Sequence, residues 1–261
     1  MLTDITIGQY IPGDSVIHRL DPRMKIIVTI ILITALFLIS KFIGFAFFLV
    51  YVAAVITVAK LPVKKIIKGL KPILFLVVLT LILHIFMTKG GDVIWEWKFI
   101  TIEEEGVYTG FFMVSRIVLL IMFTSLLTLT TSPLQLTDGI EYLLKPFKKV
   151  GVPASELAMM MTIALRFIPT LLEEAEKIMK AQKARGADFE SGNIIKRAKS
   201  LIPLLVPLFI SAFRRADDLA LAMEARCYRG GEGRTRLHEL SFKKRDILAL
   251  FITLTFAVGI S

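Results

Sequence analysis

The chain has 261 residues, of which 55% are hydrophobic and 21% are charged, and its formal net charge is +10. Soluble domains rarely contain more than half apolar residues, and a bundle of membrane spans alone cannot hide this many charges. The composition therefore predicts an integral membrane protein with a large part outside the bilayer. The single cysteine, Cys227, excludes an intramolecular disulfide and supplies no metal-ligand set.

The first 25 residues contain acidic side chains and two prolines, and they lack the apolar core of a signal peptide. We expect residues 1–25 to form a cytoplasmic N-terminal segment. The Pro12-Gly13 and Asp21-Pro22 pairs predict turns, so Tyr10–Lys25 is expected to be an ordered hook.

Residues 26–131 contain four predicted membrane spans, because a hydrocarbon core of about 30 Å needs roughly 20 apolar residues in a helix. Ile26–Ala59 carries one charge, at Lys41, and is interpreted as two short spans joined by a tight turn at Ser40–Lys41. A single tilted helix is the alternative. The later predicted spans are Leu70–Met87, Phe111–Thr131 and Ile247–Ile260. The last run is short, so the helix of residues 246–261 is expected to extend backwards through Asp246 or to continue past Ser261.

The charges of the connecting segments predict the orientation. Lys60–Lys71 carries five lysines and no acid, whereas Lys89–Gly110 carries two lysines against five acids. Ser132–Arg245 carries twenty Lys and Arg against thirteen acids. Five alternating spans with a cytoplasmic N-terminus place both basic stretches inside and the acidic loop outside, as the positive-inside rule describes.

Residues 132–245 are predicted to form three helices in the cytoplasm. The first begins with Ser132 as N-cap and stops at Gly151 and Pro153. Two long helical patterns follow, Ser155–Arg185 and Ser200–Arg226. Each contains an uncharged run, Leu157–Leu165 and Leu201–Ala212, and then becomes charged towards its end. Small alanines leave one face of the last helix open to a close helix crossing. The fold class is an all-α integral membrane protein with about five transmembrane helices and this cytoplasmic region.

The two long helices end in nearly the same sequence motif, Ala-x-x-Ala-Arg-small, at Ala181–Gly186 and Ala222–Cys227. A basic residue in the last turn favours the helix dipole, and Gly186 suits the position after a helix, so capping is one interpretation. The other is docking, because an Arg at a helix tip can bind a carboxylate through two hydrogen bonds. Two similar tips favour two similar acceptors.

Other charged or polar residues favour structural roles. Arg116 lies near the outer end of its span and is expected to extend towards the interface, with a substrate or ion role as the alternative. His84 is expected to be a hydrogen-bonding residue of the bundle. The stretch Arg214–Asp218 has helical spacing of opposite charges and is interpreted as a self-paired, solvated face.

The sequence contains no P-loop, no Ser/His/Asp set and no metal-ligand cluster, so it predicts no ATP site, no catalytic residues and no cofactor. Glu232–Leu240 is basic and is expected to be a loop, but it lacks the interleaved aromatic residues of nucleic-acid binding. An enzyme that uses cytidine diphosphate alcohols is excluded, because the Ala-Arg that should follow Asp138-Gly139 is missing.

Four segments closely resemble the T component of energy-coupling factor (ECF) transporters, the transmembrane coupling subunit of a class of ATP-binding-cassette (ABC) importers. They are YIPGDSVIHRLDPRMK (Tyr10–Lys25), LKPFKKVGVP (Leu144–Pro153), TIALRFIPTLLEEAEKIMKAQKARGADF (Thr162–Phe189) and AMEARCYRG (Ala222–Gly230). The resemblance runs through nearly the whole chain and is closest to the type that serves several substrate-binding subunits.

The resemblance implies that the two long helices are crossing coupling helices, each of which docks its X-Arg-X end in an acidic groove of one of two ABC ATPase subunits. The docks would be Ala184-Arg185-Gly186 and Ala225-Arg226-Cys227, where Cys227 replaces the usual Gly. The subunit would lie in a prokaryotic plasma membrane and carry no ATP site. Its apolar helix parts would hold a membrane-embedded S component that binds a vitamin or a metal ion. The predicted S-component contacts are Leu201, Leu204, Leu205, Leu208, Phe209, Met159 and Met160. A permease of another ABC importer type, with its own translocation path, is the alternative.

Overall fold

The computed structural model describes residues 10–97, 100–189, 193–230 and 240–260. The regular secondary structure of these parts is helical apart from one small hairpin. The helices are α1 (Pro22–Leu38), α2 (Phe42–Ala59), α3 (Val63–Leu70), α4 (Leu74–Met87), α5 (Glu104–Thr130), α6 (Pro133–Leu144), α7 (Ala154–Ala184), α8 (Ile194–Ala225) and α9 (Lys244–Ile260). The described residues form two units, which we call the bundle (residues 10–139 with 240–260) and the arm (residues 140–230).

The helices of the bundle run in alternate directions around an apolar core. Phe48 of α2 is fully buried in this core, and its ring lies 6.3 Å from that of Phe123 in α5. The chain leaves α1 after Leu38 and enters α2 at Phe42. The predicted turn at Ser40–Lys41 is therefore confirmed, and the single long helix is wrong.

Four helical stretches are long and apolar enough to cross a membrane: Phe42–Ala59, Val63–Met87, Glu104–Thr130 and Ala154–Ala184. This set differs from the five predicted spans. Helices α1 and α9 have 17 residues each, about 26 Å, and are short for a hydrocarbon core of about 30 Å. Helix α7 qualifies because its uncharged run Leu157–Leu165 continues past Arg166 into further apolar residues. As predicted, α9 extends backwards through Asp246.

The acidic loop contains a β-hairpin that the sequence analysis missed. Strand β1 (Val93–Trp97) pairs antiparallel with β2 (Ile100–Glu103). The run VIWEW is rich in β-branched and aromatic residues, and this composition is the signal that predicts a strand. Close to the hairpin, Gly106 packs against the end of α4, where an added Cβ would lie 2.8 Å from the Thr88 carbonyl oxygen.

At the opposite end of the bundle, the starts of α1 and α9 meet the end of α5. The Lys25 Nζ atom donates a hydrogen bond to the Thr130 carbonyl (2.8 Å), and the Asp21 N–H donates to Asp246 Oδ1 (2.9 Å). The Ile11 N–H donates to the Leu129 carbonyl (3.0 Å). Together with Tyr10–Asp21, these helix ends form what we call the polar end.

Charged side chains are buried and mutually bonded at the polar end. Asp21 caps α1 by accepting the Arg23 N–H, and its two carboxylate oxygens also accept Arg23 Nε and Nη2, at 2.9 and 2.7 Å. The side chains of this ion pair are both only 3% exposed. The Arg23 guanidinium also lies 4.0 Å from the centre of the Phe242 ring. This pair therefore joins the starts of α1 and α9.

The N-terminal hook closes around His18 but ends at Asp21, because Pro22–Lys25 are the first residues of α1. The turn predicted at Asp21-Pro22 is therefore wrong, since Asp21 caps a helix there. Residues 1–9 lie outside the described residues. His18 Nε2 donates to the Ile11 carbonyl (3.1 Å), so Nδ1 accepts the hydroxyl hydrogen of Ser15 (2.7 Å). Gly13 is required here, because a Cβ would lie 2.9 Å from His18 Cε1. Burial lowers the pKa of His18 below its ordinary 6.5, which favours the neutral ring that these bonds require.

The arm begins within α6. As predicted, the Ser132 Oγ atom accepts the Gln135 N–H (3.3 Å), and the Gln135 Oε1 atom accepts the Ser132 N–H in return. Gly151 ends the following 3₁₀ turn with a φ of +92°. The described part of α8 begins six residues before the predicted Ser200. The loop prediction for Glu232–Leu240 falls outside the described residues, except at Leu240.

Candidate functional site

The two long helices of the arm end in the same backbone motif. After α7, the Gly186 N–H donates to the Lys183 carbonyl (3.0 Å), and the Ala187 N–H donates to the Gln182 carbonyl (2.9 Å). These are the two crossed hydrogen bonds of the Schellman motif. With the Arg185 N–H, which donates to the Ala181 and Gln182 carbonyls, backbone donors reach three carbonyls of the last turn of α7.

The end of α8 repeats this motif residue for residue. The Cys227 N–H donates to the Glu224 carbonyl (2.8 Å), and the Tyr228 N–H donates to the Met223 carbonyl (3.0 Å). Cys227 takes the left-handed conformation with a φ of +56°, where Gly186 has +87°. A residue other than glycine pays a steric cost in this conformation, yet the geometry of the tip is the same.

The six tip residues predicted from the sequence are all exposed: Ala184, Arg185, Gly186, Ala225, Arg226 and Cys227. Arg185 and Arg226 occupy equivalent C-cap positions. Among the described residues, neither guanidinium forms an ion pair. Because backbone N–H groups satisfy the end of each helix, the two Arg side chains remain available to a partner.

Helices α7 and α8 pack together through an apolar groove of about 420 Å³. Its α7 side includes Ala164, Phe167 and Leu171, and its α8 side includes Ala212 and Ala216. Small residues on α8 allow the helix axes to approach closely, as the alanine pattern predicts. The two tips therefore belong to one pair of packed helices.

An ion pair joins the same two helices across the groove. Arg215 Nη2 of α8 donates to Glu174 Oε2 of α7 at 2.7 Å, and Arg215 Nε also donates to Ser211 Oγ at 3.4 Å. The prediction that Arg215 pairs within its own helix face is wrong. Local spacing made Asp218 available, but the crossing brings a better-placed carboxylate from 41 residues away. Nothing in the sequence marks this pairing.

The predicted S-component contacts differ in exposure. Leu201, Leu205, Phe209 and Met160 are exposed by 41–60%, and Leu208 and Met159 are half-buried. Leu204 is only 7% exposed, so its side chain is already packed within the chain. The available surface is thus an apolar face on α8 and a shorter one on α7, and Leu204 does not belong to it.

Arg116 and His84 both have structural partners. Arg116 Nη2 donates to the Ile39 carbonyl (3.0 Å), just after the end of α1, and its guanidinium lies 5.0 Å from the centre of the Phe112 ring. The residue therefore caps α1 inside the bundle and does not extend away from it. His84 Nδ1 lies 3.2 Å from Thr88 Oγ1, the hydrogen-bonding role that was predicted for it.

Comparison with known proteins gives consistent results over nearly the full chain. Residues 13–237 match the CbiQ family, which is described as "Cobalt transport protein". A protein of Thermosediminibacter oceani named "Energy-coupling factor transporter transmembrane protein EcfT" is 61% identical over 258 residues, 99% of this chain and 97% of that protein. Proteins of the same name in Acidaminococcus fermentans and Bacillus subtilis are 57% and 49% identical, over 98% and 94% of this chain and 97% and 93% of their own lengths.

Proposed function

This chain belongs to the CbiQ family of transmembrane components of energy-coupling factor transporters, and from that premise we propose how it couples ATP hydrolysis to transport. It is a multi-pass membrane protein and a transport subunit. In the proposed complex, two ABC ATPase subunits bind the tips of α7 and α8. A membrane-embedded S component, which carries the vitamin or metal ion, binds the apolar face of the same helices.

The observation that carries the proposal is the equivalence of the two tips. The same pair of crossed hydrogen bonds presents Arg185 and Arg226 at the same position relative to the helix end. A planar guanidinium in this position suits bidentate binding to a carboxylate on a partner. Two equal tips fit two related ATPases, one Arg to each.

To transmit motion from the ATPases to the S component, a displacement of the two tips has to move the apolar face of α7 and α8 as well. The groove between α7 and α8 and the Glu174–Arg215 ion pair support this, because they hold the two helices together between their charged and apolar parts. When ATP binding changes the spacing of the ATPase grooves, a braced pair of helices would move as one body. The S component would then be reoriented and release its substrate inward. Such coupling requires that the contacts differ between the two states.

The proposed orientation places the polar end of the bundle and the arm in the cytoplasm. Helix α2 runs towards the polar end, so the five lysines of Lys60–Lys71 follow its exit there, and the acidic hairpin lies at the other end. This charge distribution agrees with the positive-inside rule. Accessibility labelling of a cysteine introduced at Asp92, compared with the native Cys227, tests it from the two sides of the membrane.

Charge reversal at the tips tests the docking. The tagged chain would be co-expressed with its two ATPases as wild type, Arg185→Glu, Arg226→Glu and the double variant, and the ATPases retained in detergent would be quantified. Loss of one partner of a buried charged pair typically costs about 2–5 kcal/mol. We therefore expect each single change to weaken retention by roughly 30-fold or more and the double change to abolish it.

Arg197→Glu is the matched control, because it reverses an exposed charge on the same helix far from the tip. It should retain both ATPases, and every variant should remain monodisperse. If the double variant retains both ATPases like the wild type, the two Arg residues are helix caps only and the docking proposal is wrong.

A further inference from the structure

An open apolar cavity of about 470 Å³ lies in the bundle beside its polar end. Four helices and the N-terminal hook surround it, and residues such as Leu20, Val28, Val55, Phe123 and Ile252 line it. Nearly all of the surface that it presents is carbon. Its volume is in the range of about 300–1,000 Å³ that is typical of small-molecule sites.

The hydroxyl groups in the wall are satisfied within the protein. Thr253 Oγ1 donates to the Ala249 carbonyl (2.7 Å), so the Tyr51 hydroxyl donates to Thr253 Oγ1 (3.1 Å). Thr29 Oγ1 likewise donates to the Lys25 carbonyl (2.7 Å). An occupant of the cavity needs to offer these groups nothing polar. Cavities of this kind favour hydrocarbon over water.

The cavity opens towards the surface that faces lipid. Four of its lining side chains are exposed by 49–61%: Val16 (58%), Val58 (51%), Leu248 (61%) and Ile252 (49%). Large apolar side chains around an opening fit a bilayer core and do not fit a water-filled entrance. A hydrocarbon chain can therefore enter sideways, between α2 and α9.

Positive charge lies at one edge of the cavity. Three successive basic residues stand at the start of α9: Lys243 directly before the helix, and Lys244 and Arg245 in its first turn. Arg245 lines the cavity. The positive end of the helix dipole adds to this charge. Two acids lie nearby. Asp21 is paired with Arg23, and the carboxylate oxygens of Asp246 accept the N–H groups of Asp21 and Lys243. The edge therefore favours an anionic group.

Arg245 also carries an unsatisfied donor. Its Nη2 atom donates to the Arg19 carbonyl, but its Nε atom is buried and has no hydrogen-bond partner. A buried donor without an acceptor is costly, which marks a place where an acceptor from outside the chain would be bound favourably.

From these observations we infer that the cavity binds one anionic phospholipid, with an acyl chain between α2 and α9 and the phosphate beside Arg245. The apolar walls select the chain, and the basic edge of α9 selects the charge of the headgroup. In the proposed orientation this lipid belongs to the cytoplasmic leaflet. Binding itself does not depend on that orientation or on the ATPase docks.

Native mass spectrometry of the delipidated full chain tests the inference, with titrations of dioleoyl-phosphatidylglycerol and dioleoyl-phosphatidylcholine. We expect one lipid to bind more tightly than all others, with phosphatidylglycerol preferred by roughly fivefold, the contribution of one cation near an anionic headgroup. Ala54 lines the cavity and is exposed, so Ala54→Phe places a ring in the space proposed for the acyl chain and should abolish this tight binding. Arg245→Gln should keep the binding of an acyl chain but remove the preference for phosphatidylglycerol.

Matched variants provide the controls. Ala53→Phe adds the same ring to the adjacent exposed position of α2 outside the cavity lining, and Lys41→Gln removes an exposed positive charge just before the start of α2, at the other end of the bundle. Both should bind lipid like the wild type. If Ala54→Phe and Ala53→Phe behave alike, only non-specific lipid is bound and the inference is wrong. Equal affinity of the wild type for both lipids would overturn the assignment of an anionic headgroup.

Discussion

The polar end of the bundle and the tips of the arm use arginine in opposite ways. At the polar end, the Arg23 side chain is 3% exposed and its guanidinium binds Asp21 two residues away. At the tips, Arg185 and Arg226 are exposed, while backbone N–H groups complete the helix ends without them. The bundle uses charge to hold its own chain ends together. The arm presents the same chemical group to solvent, where a partner can bind it.

This difference separates charges that stabilise the protein from charges that are proposed to act on a partner. A buried pair is sensitive to the loss of either member, because the remaining charge stays out of water without compensation. An exposed Arg can be replaced with little effect on stability. Variants at the polar end should therefore lower the stability of the chain, whereas variants at the tips should weaken the binding of its partners.

The largest effect on stability is expected for Asp21→Ala. The change leaves the Arg23 guanidinium buried without its carboxylate and removes the N-cap of α1, and breaking a buried pair typically costs about 3–5 kcal/mol. Thermal unfolding in detergent would measure the loss. Asp14→Ala is the control, because Asp14 pairs with Arg19 at 3.5 Å while its side chain is 97% exposed, and such pairs contribute about 0–1 kcal/mol. Equal effects of the two changes would contradict the structural role of the buried pair.

The signals that correctly located the helices are local ones. Ser132 with Gln135, and Gly151 after its turn, lie within a few residues of the helix ends that they define. Asp21 before Pro22 carries the same kind of signal, an N-cap followed by proline, and it would have predicted the start of α1. The resemblance to the T component also rests on continuous segments of sequence. Among the relatives described above, it is supported by identities of up to 61%.

Contacts between distant residues were beyond sequence reasoning. Asp21 and Asp246 are 225 positions apart, and Glu174 and Arg215 are 41 apart. Periodicity indicates which face of a helix is apolar, but it does not indicate which carboxylate a crossing brings to which arginine. The sequence therefore suggested a self-paired face for Arg215, and only the packing of α7 on α8 identifies its partner. The two tips could be predicted because a repeated sequence motif can be recognised without knowledge of the fold.

The hook at the polar end should make stability depend on pH. Burial lowers the pKa of His18 in the folded protein, so the unfolded chain takes up a proton more readily. The neutral ring contributes fully to the stability of the folded protein at pH values above 6.5, the pKa of His18 in the unfolded chain. This stabilisation decreases as the pH falls below that value. We expect the melting temperature to decrease between pH 7.5 and pH 5.5, by less than Asp21→Ala lowers it. His18→Gln should remove part of this dependence, and an unchanged pH profile in that variant would assign the effect to other groups.

Within the arm, the ion pair that joins α7 and α8 should contribute a smaller amount. Glu174 is 23% exposed and Arg215 is 40% exposed, and partly solvated pairs contribute roughly 1 kcal/mol or less. Glu174→Gln and Arg215→Gln should each increase hydrogen exchange along the packed parts of α7 and α8, and the double variant should add little to either. Glu173→Gln, at the adjacent exposed position, is the control. Fully additive effects would show that the two side chains do not act as a pair.

The smallest expected effect distinguishes the two tips from each other. Cys227 holds the left-handed position that Gly186 holds in the other tip, at a steric cost of roughly 1 kcal/mol for a residue with a Cβ. Cys227→Gly should therefore slow hydrogen exchange at Tyr228, and Gly186→Cys should speed it at Ala187, since these amides close the two motifs. Neither variant removes an Arg, so retention of the ATPases should stay close to wild type in both. A change in retention as large as that of Arg226→Glu would mean that the residue after the Arg is itself part of the dock.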